Sequence, residues 1–65
     1  MATGVVKFFL ANRGYGFIVP DAGGPDMFLH LRGIIDDEPP VADDRVEYDV
    51  KEYRGRPTAT NCRRC

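Results

Sequence analysis

Two short segments of this sequence concentrate the side chains that can stack on a planar ligand. Tyr15 and Phe17 alternate with glycine and isoleucine, and Phe28 and His30 alternate with leucines. Because successive side chains of a β-strand point to opposite faces, each pair would share one face of its strand. Stacking a nucleobase on an aromatic side chain contributes about 1–3 kcal/mol and tolerates any base. The pattern favours a surface for unpaired nucleobases, although aromatic residues in short strands also form cores, and periodicity alone leaves both interpretations open.

Four basic residues are placed to meet the phosphates of such a ligand. Lys7 and Arg13 precede the first aromatic pair, and Arg54 and Arg56 occur near the carboxyl end. The chain as a whole has nine Lys and Arg against ten Asp and Glu, a formal net charge of −1. There is thus no global basic field to attract a polyanion, so binding must come from a local patch or from stacking.

Five short strands would have to position these residues. Strands alternate with turn segments rich in Gly, Pro, Asn and Asp, and no segment has a convincing helical period. The sequence predicts strands over Thr3–Ala11, Tyr15–Val19, Met27–Leu31, Arg45–Tyr53 and Thr58–Cys62, with turns over Ala11–Gly14, Asp21–Pro25 and Arg54–Pro57. Between Gly33 and Asp44 we expect a loop with at most one helical turn. This pattern indicates an all-β fold, either a small barrel or a curled sheet.

A barrel of this size has room inside for one set of side chains. We expect that set to be aliphatic, with the ring of one tyrosine: Ile18, Met27, Leu29, Val46, Val50 and Tyr48. Tyr15, Phe17, Phe28 and His30 would then lie outside, on adjacent strands. We expect Gly14 and Gly16, which have no Cβ, to leave the surface beside the rings flat and open to a planar ligand.

The length of the chain bounds its organisation. Sixty-five residues make one small domain, which we place at residues 1–65. The longest apolar run, Phe8–Ala11, has four residues, too few for a signal peptide or a membrane helix. We therefore expect a cytoplasmic protein without a membrane partner, and a monomer, with a dimer as the alternative.

Two motifs resemble those of a known family. Arg13–Ile18 is similar to the first ribonucleoprotein motif of the bacterial cold-shock proteins, and Met27–Leu31 is similar to the second, in the family's order and spacing. The resemblance extends over nearly the whole chain. It implies a five-stranded antiparallel oligonucleotide-binding (OB-fold) barrel that binds single-stranded, pyrimidine-rich RNA or DNA with low specificity. It also implies the role of an RNA chaperone or a cold-shock-type regulator of gene expression.

The resemblance also assigns roles to single residues. Tyr15, Phe17, Phe28 and His30 match stacking positions of the family, and Phe8 matches its stacking tryptophan. Lys7 and Arg13 match positions that meet the nucleic-acid backbone. The sequence departs from the family at Leu10 and Leu31, which stand where asparagine and phenylalanine are common, and its loop between Asp36 and Asp44 is acidic and has no aromatic residue.

Three other functions could use parts of this sequence. The first is a protein-interaction or dimerisation module that uses the same barrel face. The second is a metal or redox role for Cys62 and Cys65, but one CxxC motif supplies two ligands where structural zinc needs four. We expect Cys62 to fill an apolar strand position and Cys65 to lie in a free tail. The third is an enzyme, which we do not expect because the chain has no serine and five of its ten acids cluster in one loop. No cofactor and no metal are expected.

Overall fold

Five β-strands and one 3-10 turn make up the computed structural model, which describes residues 1–65. The strands are β1 (Ala2–Leu10), β2 (Tyr15–Pro20), β3 (Met27–His30), β4 (Arg45–Tyr53) and β5 (Arg56–Arg64), and the 3-10 turn is Leu31–Gly33. They close into a barrel in the order β1-β2-β3-β5-β4. The predicted all-β, five-stranded OB-fold barrel is confirmed. The structure contains no helix that is long and apolar enough to cross a membrane.

The pairing directions follow from the number of strands. Four neighbouring pairs are antiparallel. A closed ring of five strands cannot be antiparallel at every joint, because the directions alternate and five is odd. The remaining joint is between β3 and β5, which run parallel at Phe28–Thr58 and Leu29–Ala59.

The hairpin between β4 and β5 is tighter than the sequence predicts. Tyr53 pairs directly with Arg56, so the turn consists of Arg54 and Gly55 alone and not of the whole segment Arg54–Pro57. Both turn residues have positive φ, 53° at Arg54 and 77° at Gly55. A two-residue turn of this kind matches the right-handed twist of the flanking strands. Arginine in this conformation gives little signal in a sequence, so the prediction made the turn too long.

The expectation of a free tail after Cys62 is wrong. Strand β5 continues to Arg64 and pairs with β4 along this stretch. The Arg64 backbone N–H donates to the Asp36 carboxylate at 2.8 Å, and the Cys65 N–H donates to the Arg45 carbonyl at 3.0 Å. The last residues therefore help to close the barrel.

Removal of residues 63–65 is consequently expected to destabilise the fold by about 2 kcal/mol. It deletes the two hydrogen bonds just named, which contribute roughly 0.5–1.5 kcal/mol each and somewhat more where the acceptor is a carboxylate, together with the strand pairing of Arg63 and Arg64. Urea unfolding followed by circular dichroism measures the effect. Arg64→Ala is the matched control, because it keeps the backbone bonds and loses only exposed ion pairs. An unchanged midpoint for the truncated chain would contradict this role of the carboxyl end.

Seven apolar residues form the centre of the barrel, each no more than 1% exposed. They are Val6, Ile18, Leu29, Val46, Tyr48, Ala59 and Cys62. The prediction is confirmed for Ile18, Leu29, Val46 and Tyr48, and Cys62 fills an apolar strand position as expected. Met27 is only partly buried and packs against this core.

The prediction that Val50 lies in the core is wrong, since Val50 is 54% exposed. Strand β4 pairs with β1 only between Arg45 and Tyr48. Beyond Tyr48 it pairs with β5 alone, so the hairpin extends past the barrel and no strand covers Val50. Alternation assigns the correct face to this residue, but it does not show where the neighbouring strand ends.

Candidate nucleic-acid interface

Five rings lie side by side on the outer surface of β1, β2 and β3. We call this surface the aromatic face: Phe8, Tyr15, Phe17, Phe28 and His30. Phe17 pairs with Phe28 across the strands, and Tyr15 pairs with His30. The ring centroids are 5.6 Å apart for Phe8–Phe17 and for Phe17–Phe28, 6.1 Å for Tyr15–Phe28 and 6.4 Å for Phe28–His30. The structure thus brings together the four aromatic residues and the histidine that were predicted as stacking residues.

Phe8 reaches this face because of an irregularity in β1. The register shifts between Val6, which is opposite Ile18, and Phe8, which is opposite Phe17. Strict alternation would place Phe8 on the same inner side as the buried Val6. A β-bulge adds one residue, here Lys7, and turns the following side chain to the other face. Phe8 therefore lies beside Phe17, while the next residue, Phe9, packs against the core.

Gly16 has a different role from the one expected. It does not open the outer surface, because it is buried on the inner side of β2, opposite Phe9. A Cβ built there would collide with the Phe8 carbonyl oxygen and would lie 2.7 Å from the Phe9 Cα. Glycine is thus required at this position for β1 and β2 to approach, and it fixes the backbone that carries Tyr15 and Phe17.

His30 is held by the 3-10 turn that follows β3. Its Nδ1 accepts a hydrogen bond from the Arg32 backbone N–H at 3.1 Å, and the imidazole thereby caps the turn. An acceptor at Nδ1 assigns the ring proton of the neutral form to Nε2. The side chain is exposed at the edge of the aromatic face and retains a donor for a polar group of a ligand.

The four predicted cations lie in different settings. Arg56 places its guanidinium carbon 5.5 Å from the centroid of the Phe28 ring, so it borders the aromatic face directly. Arg54 lies 5.5 Å from the ring of Tyr53, at the tip of the β4–β5 hairpin. Arg13 is in the turn that leads into Tyr15. Lys7 is bound to Asp26, with 3.1 Å between Nζ and Oδ2, and must leave this carboxylate to meet a phosphate.

The basic side chains fall into two groups, those that form ion pairs with acids and those that do not. Four of the nine Lys and Arg side chains form ion pairs, namely Lys7, Arg45, Arg63 and Arg64. The other five have no acid within ion-pair distance: Arg13, Arg32, Lys51, Arg54 and Arg56. Arg32 and Lys51 were not among the predicted cations, and the position of Lys51 follows only from the pairing of β4 with β5.

The acids are used largely to hold the barrel together. The Asp44 carboxylate accepts the Val41 N–H at 3.0 Å, and Arg64 joins the acidic loop at Asp36 and Asp44. In the β2–β3 loop, hydrogen bonds from the Thr3 hydroxyl and then from Arg45 lower the pKa of Asp21 below its ordinary value. These carboxylates are already engaged within the protein.

The two cysteines lie in different environments and are not joined by a disulfide. Cys62 lies in the core, and burial raises the pKa of its thiol to about 11, so it stays protonated at neutral pH. Cys65 is exposed. No group of three or more His, Cys, Asp or Glu side chains is arranged to hold a metal ion.

A closed five-stranded barrel with an aromatic outer face and adjacent free cations is the architecture of an oligonucleotide-binding domain. The family model described as the 'Cold-shock' DNA-binding domain matches residues 2–65. The chain belongs to this family, and it is a nucleic-acid-binding domain.

Individual relatives agree with this assignment. A cold shock-like protein CspG of Escherichia coli (strain K12) is 38% identical over 61 residues, which cover 91% of this chain and 87% of the relative. A cold shock-like protein CspA of Bordetella pertussis is 62% identical over 34 residues, 52% of this chain. That match spans about half, 51%, of the Bordetella protein. A cold shock domain-containing protein of Drosophila melanogaster is 44% identical over 48 residues, covering 74% of this chain and 34% of the relative.

Proposed function

We propose that this domain binds single-stranded RNA or DNA by stacking unpaired bases on the aromatic face. The observation that carries the proposal is the unbroken row of rings from Phe8 to His30, with neighbouring centroids 5.6–6.4 Å apart. Rings that remain only partly buried in such a row are costly in contact with water alone, and a surface patch of this kind marks a binding site. Base stacking buries the ring faces and uses no base-specific hydrogen bond.

Low specificity and RNA chaperone activity follow from this mode of binding. Ring faces do not distinguish the hydrogen-bonding edges of the bases, so many sequences are accepted, with a preference for pyrimidine-rich strands. In a duplex the bases are already stacked on each other and are not accessible to the rings. A protein that binds only the open strand shifts the folding equilibrium of RNA toward unpaired conformations. We propose that the domain acts in this way as a monomer, within a single unit of residues 1–65.

The salt dependence of binding tests whether stacking or charge dominates. For single strands, log K falls with log salt at a slope of about −0.7 per phosphate neutralised. Arg56 borders the aromatic face and Arg13 lies in the turn that leads into it, both without an acidic partner, whereas Lys7 must first leave Asp26. We expect two or three effective phosphate contacts and therefore a slope of about −1.5 to −2. Anisotropy titrations of one labelled oligopyrimidine, short enough to cover only the aromatic face, at several salt concentrations give this slope.

The matching duplex is the control for this titration. A slope steeper than about −4 would show that charge carries the binding. Equal affinity for the duplex would remove the stacking mechanism. If no oligonucleotide binds and the free protein elutes as a dimer, the aromatic face serves protein association instead.

A further inference from the structure

The outer surface of the barrel continues beyond the aromatic face onto β5 and β4. Phe28 is in register with Thr58 of β5, and Thr58 is opposite Lys51 of β4. Residues paired directly across neighbouring strands share a face, and alternate residues of one strand do so as well. Tyr53, two residues after Lys51 and opposite Arg56, therefore lies on the same outer surface as Phe28. The contact of Arg56 with the Phe28 ring agrees with this register.

A groove occupies this surface. It has a volume of about 610 Å³ and extends from Phe28 and His30 on one side to Lys51 and Tyr53 on the other. Arg32 and Thr58 also line it. We call it the β4–β5 groove. Since it shares Phe28 and His30 with the aromatic face, the two form one continuous surface.

The groove offers a ring and positive charge. Tyr53 is 63% exposed and is not part of the core, so its ring is accessible to a ligand. No acid lines the groove, and its cations Arg32 and Lys51 form no ion pair. Arg54, which lies over the Tyr53 ring, is also without an acidic partner. In a chain with a net charge of −1, this concentration of unpaired cations marks a site for an anionic ligand.

We propose that the β4–β5 groove is a further nucleotide-binding site, in which a base stacks on Tyr53 while Lys51 and Arg54 meet the adjoining phosphates. The occupant is the same single strand that lies on the aromatic face, continued past Phe28 across β5. This inference rests on the proposed function. An aromatic ring flanked by cations is the combination that binds single strands without reading their sequence.

The distance between β3 and β4 determines how long an oligonucleotide must be to contact Tyr53. Neighbouring strands are about 4.8 Å apart, so β4 lies roughly 10 Å from β3 along the surface. A short oligonucleotide that fills the aromatic face does not reach Tyr53, whereas a longer one does. The contribution of Tyr53 must therefore depend on oligonucleotide length.

Oligothymidylates of increasing length provide the test, with anisotropy of a fluorescent label as the readout. We expect Tyr53→Ala to weaken binding of the long oligomers about fivefold, the lower end of the range for stacking on one ring. The shortest oligomers that bind should keep their affinity. Tyr53→Phe retains the ring and should match the parent protein, while Tyr53→Leu, which keeps apolar bulk without a ring, should match Tyr53→Ala. Urea unfolding of each variant verifies that the fold is retained.

Each contrary result has a distinct meaning. If no oligothymidylate binds the parent protein, the proposed function fails and this inference fails with it. If the parent binds and Tyr53→Ala matches it at every length, the groove is not a nucleotide site although the function stands. An equal loss at all lengths, or a change in the size of the free protein on Tyr53→Ala, would assign Tyr53 to folding or to a protein contact and overturn the proposal.

Discussion

Replacement of Phe17 or Phe28 by alanine is expected to weaken binding of a single-stranded oligopyrimidine by about 1–3 kcal/mol for each change. The two residues are paired across β2 and β3 at the centre of the aromatic face. Their rings meet edge to face, with centroids 5.6 Å apart. Each substitution removes one stacking surface and also the edge that orients the neighbouring ring. Central rings should therefore matter more than Phe8 or His30 at the ends of the row.

Both variants should still fold. Phe17 and Phe28 are only partly buried, and neither belongs to the buried core. Each residue takes part in three aromatic pairs, worth about 0.5–1.5 kcal/mol apiece beyond the area they bury, so each substitution destabilises the domain but opens no cavity in the core. Val19→Ala is a matched control, because Val19 is exposed on the same face of β2 and carries no ring. Anisotropy titration gives the affinity, and urea unfolding gives the stability of each variant.

The double variant adds a further check. Since the rings touch, the two losses should not be additive, and a coupling energy of about 0.5 kcal/mol or more is expected. If either single variant unfolds with no separate effect on affinity, that residue is structural and the stacking assignment is wrong for it. Retained affinity in a folded double variant would move the binding site away from the aromatic face.

The strands and their faces could be predicted because alternation is a local property. Strand β4 was predicted with both of its bounds, and the shared faces of Tyr15 with Phe17 and of Phe28 with His30 follow from the same rule. The position of Phe8 could not be derived in this way. It depends on the bulge at Lys7, which inverts the alternation of β1, and only the resemblance to the family placed Phe8 among the stacking residues.

Properties that depend on where other strands end could not be predicted. Val50 is exposed because β1 stops pairing with β4 at Tyr48. Tyr53 and Lys51 join the outer surface of β3 only because β5 inserts between β3 and β4 in register with Phe28. Neither relation is encoded within a single segment of the sequence. The same holds for the ion pairs, which decide how many cations stay free for a phosphate.

The largest effect on stability is expected for Gly16→Ala. The new Cβ would collide with the Phe8 carbonyl oxygen and approach the Phe9 Cα to 2.7 Å. Both atoms belong to the backbone of β1, which cannot move aside without breaking its pairing with β2. Overpacking usually costs about 1–3 kcal/mol and occasionally more, and we expect about 3 kcal/mol or more here because the contact is with backbone. A domain of this length has only roughly 3–5 kcal/mol of stability, so much of the variant should be unfolded at 25 °C.

Thermal unfolding followed by circular dichroism measures this loss. Gly24→Ala is the comparison, because no atom lies within 4 Å of its Cβ position and only the positive φ of 90° opposes the substitution. That strain costs about 1–2 kcal/mol, so the Gly24 variant should keep most of its structure. Gly16→Ala with the parent's midpoint would show that β1 and β2 are not in close contact at Gly16. The close contact at Gly16 would then not hold the backbone of β1 next to the bulge, and the position of Phe8 beside Phe17 would not be fixed by it.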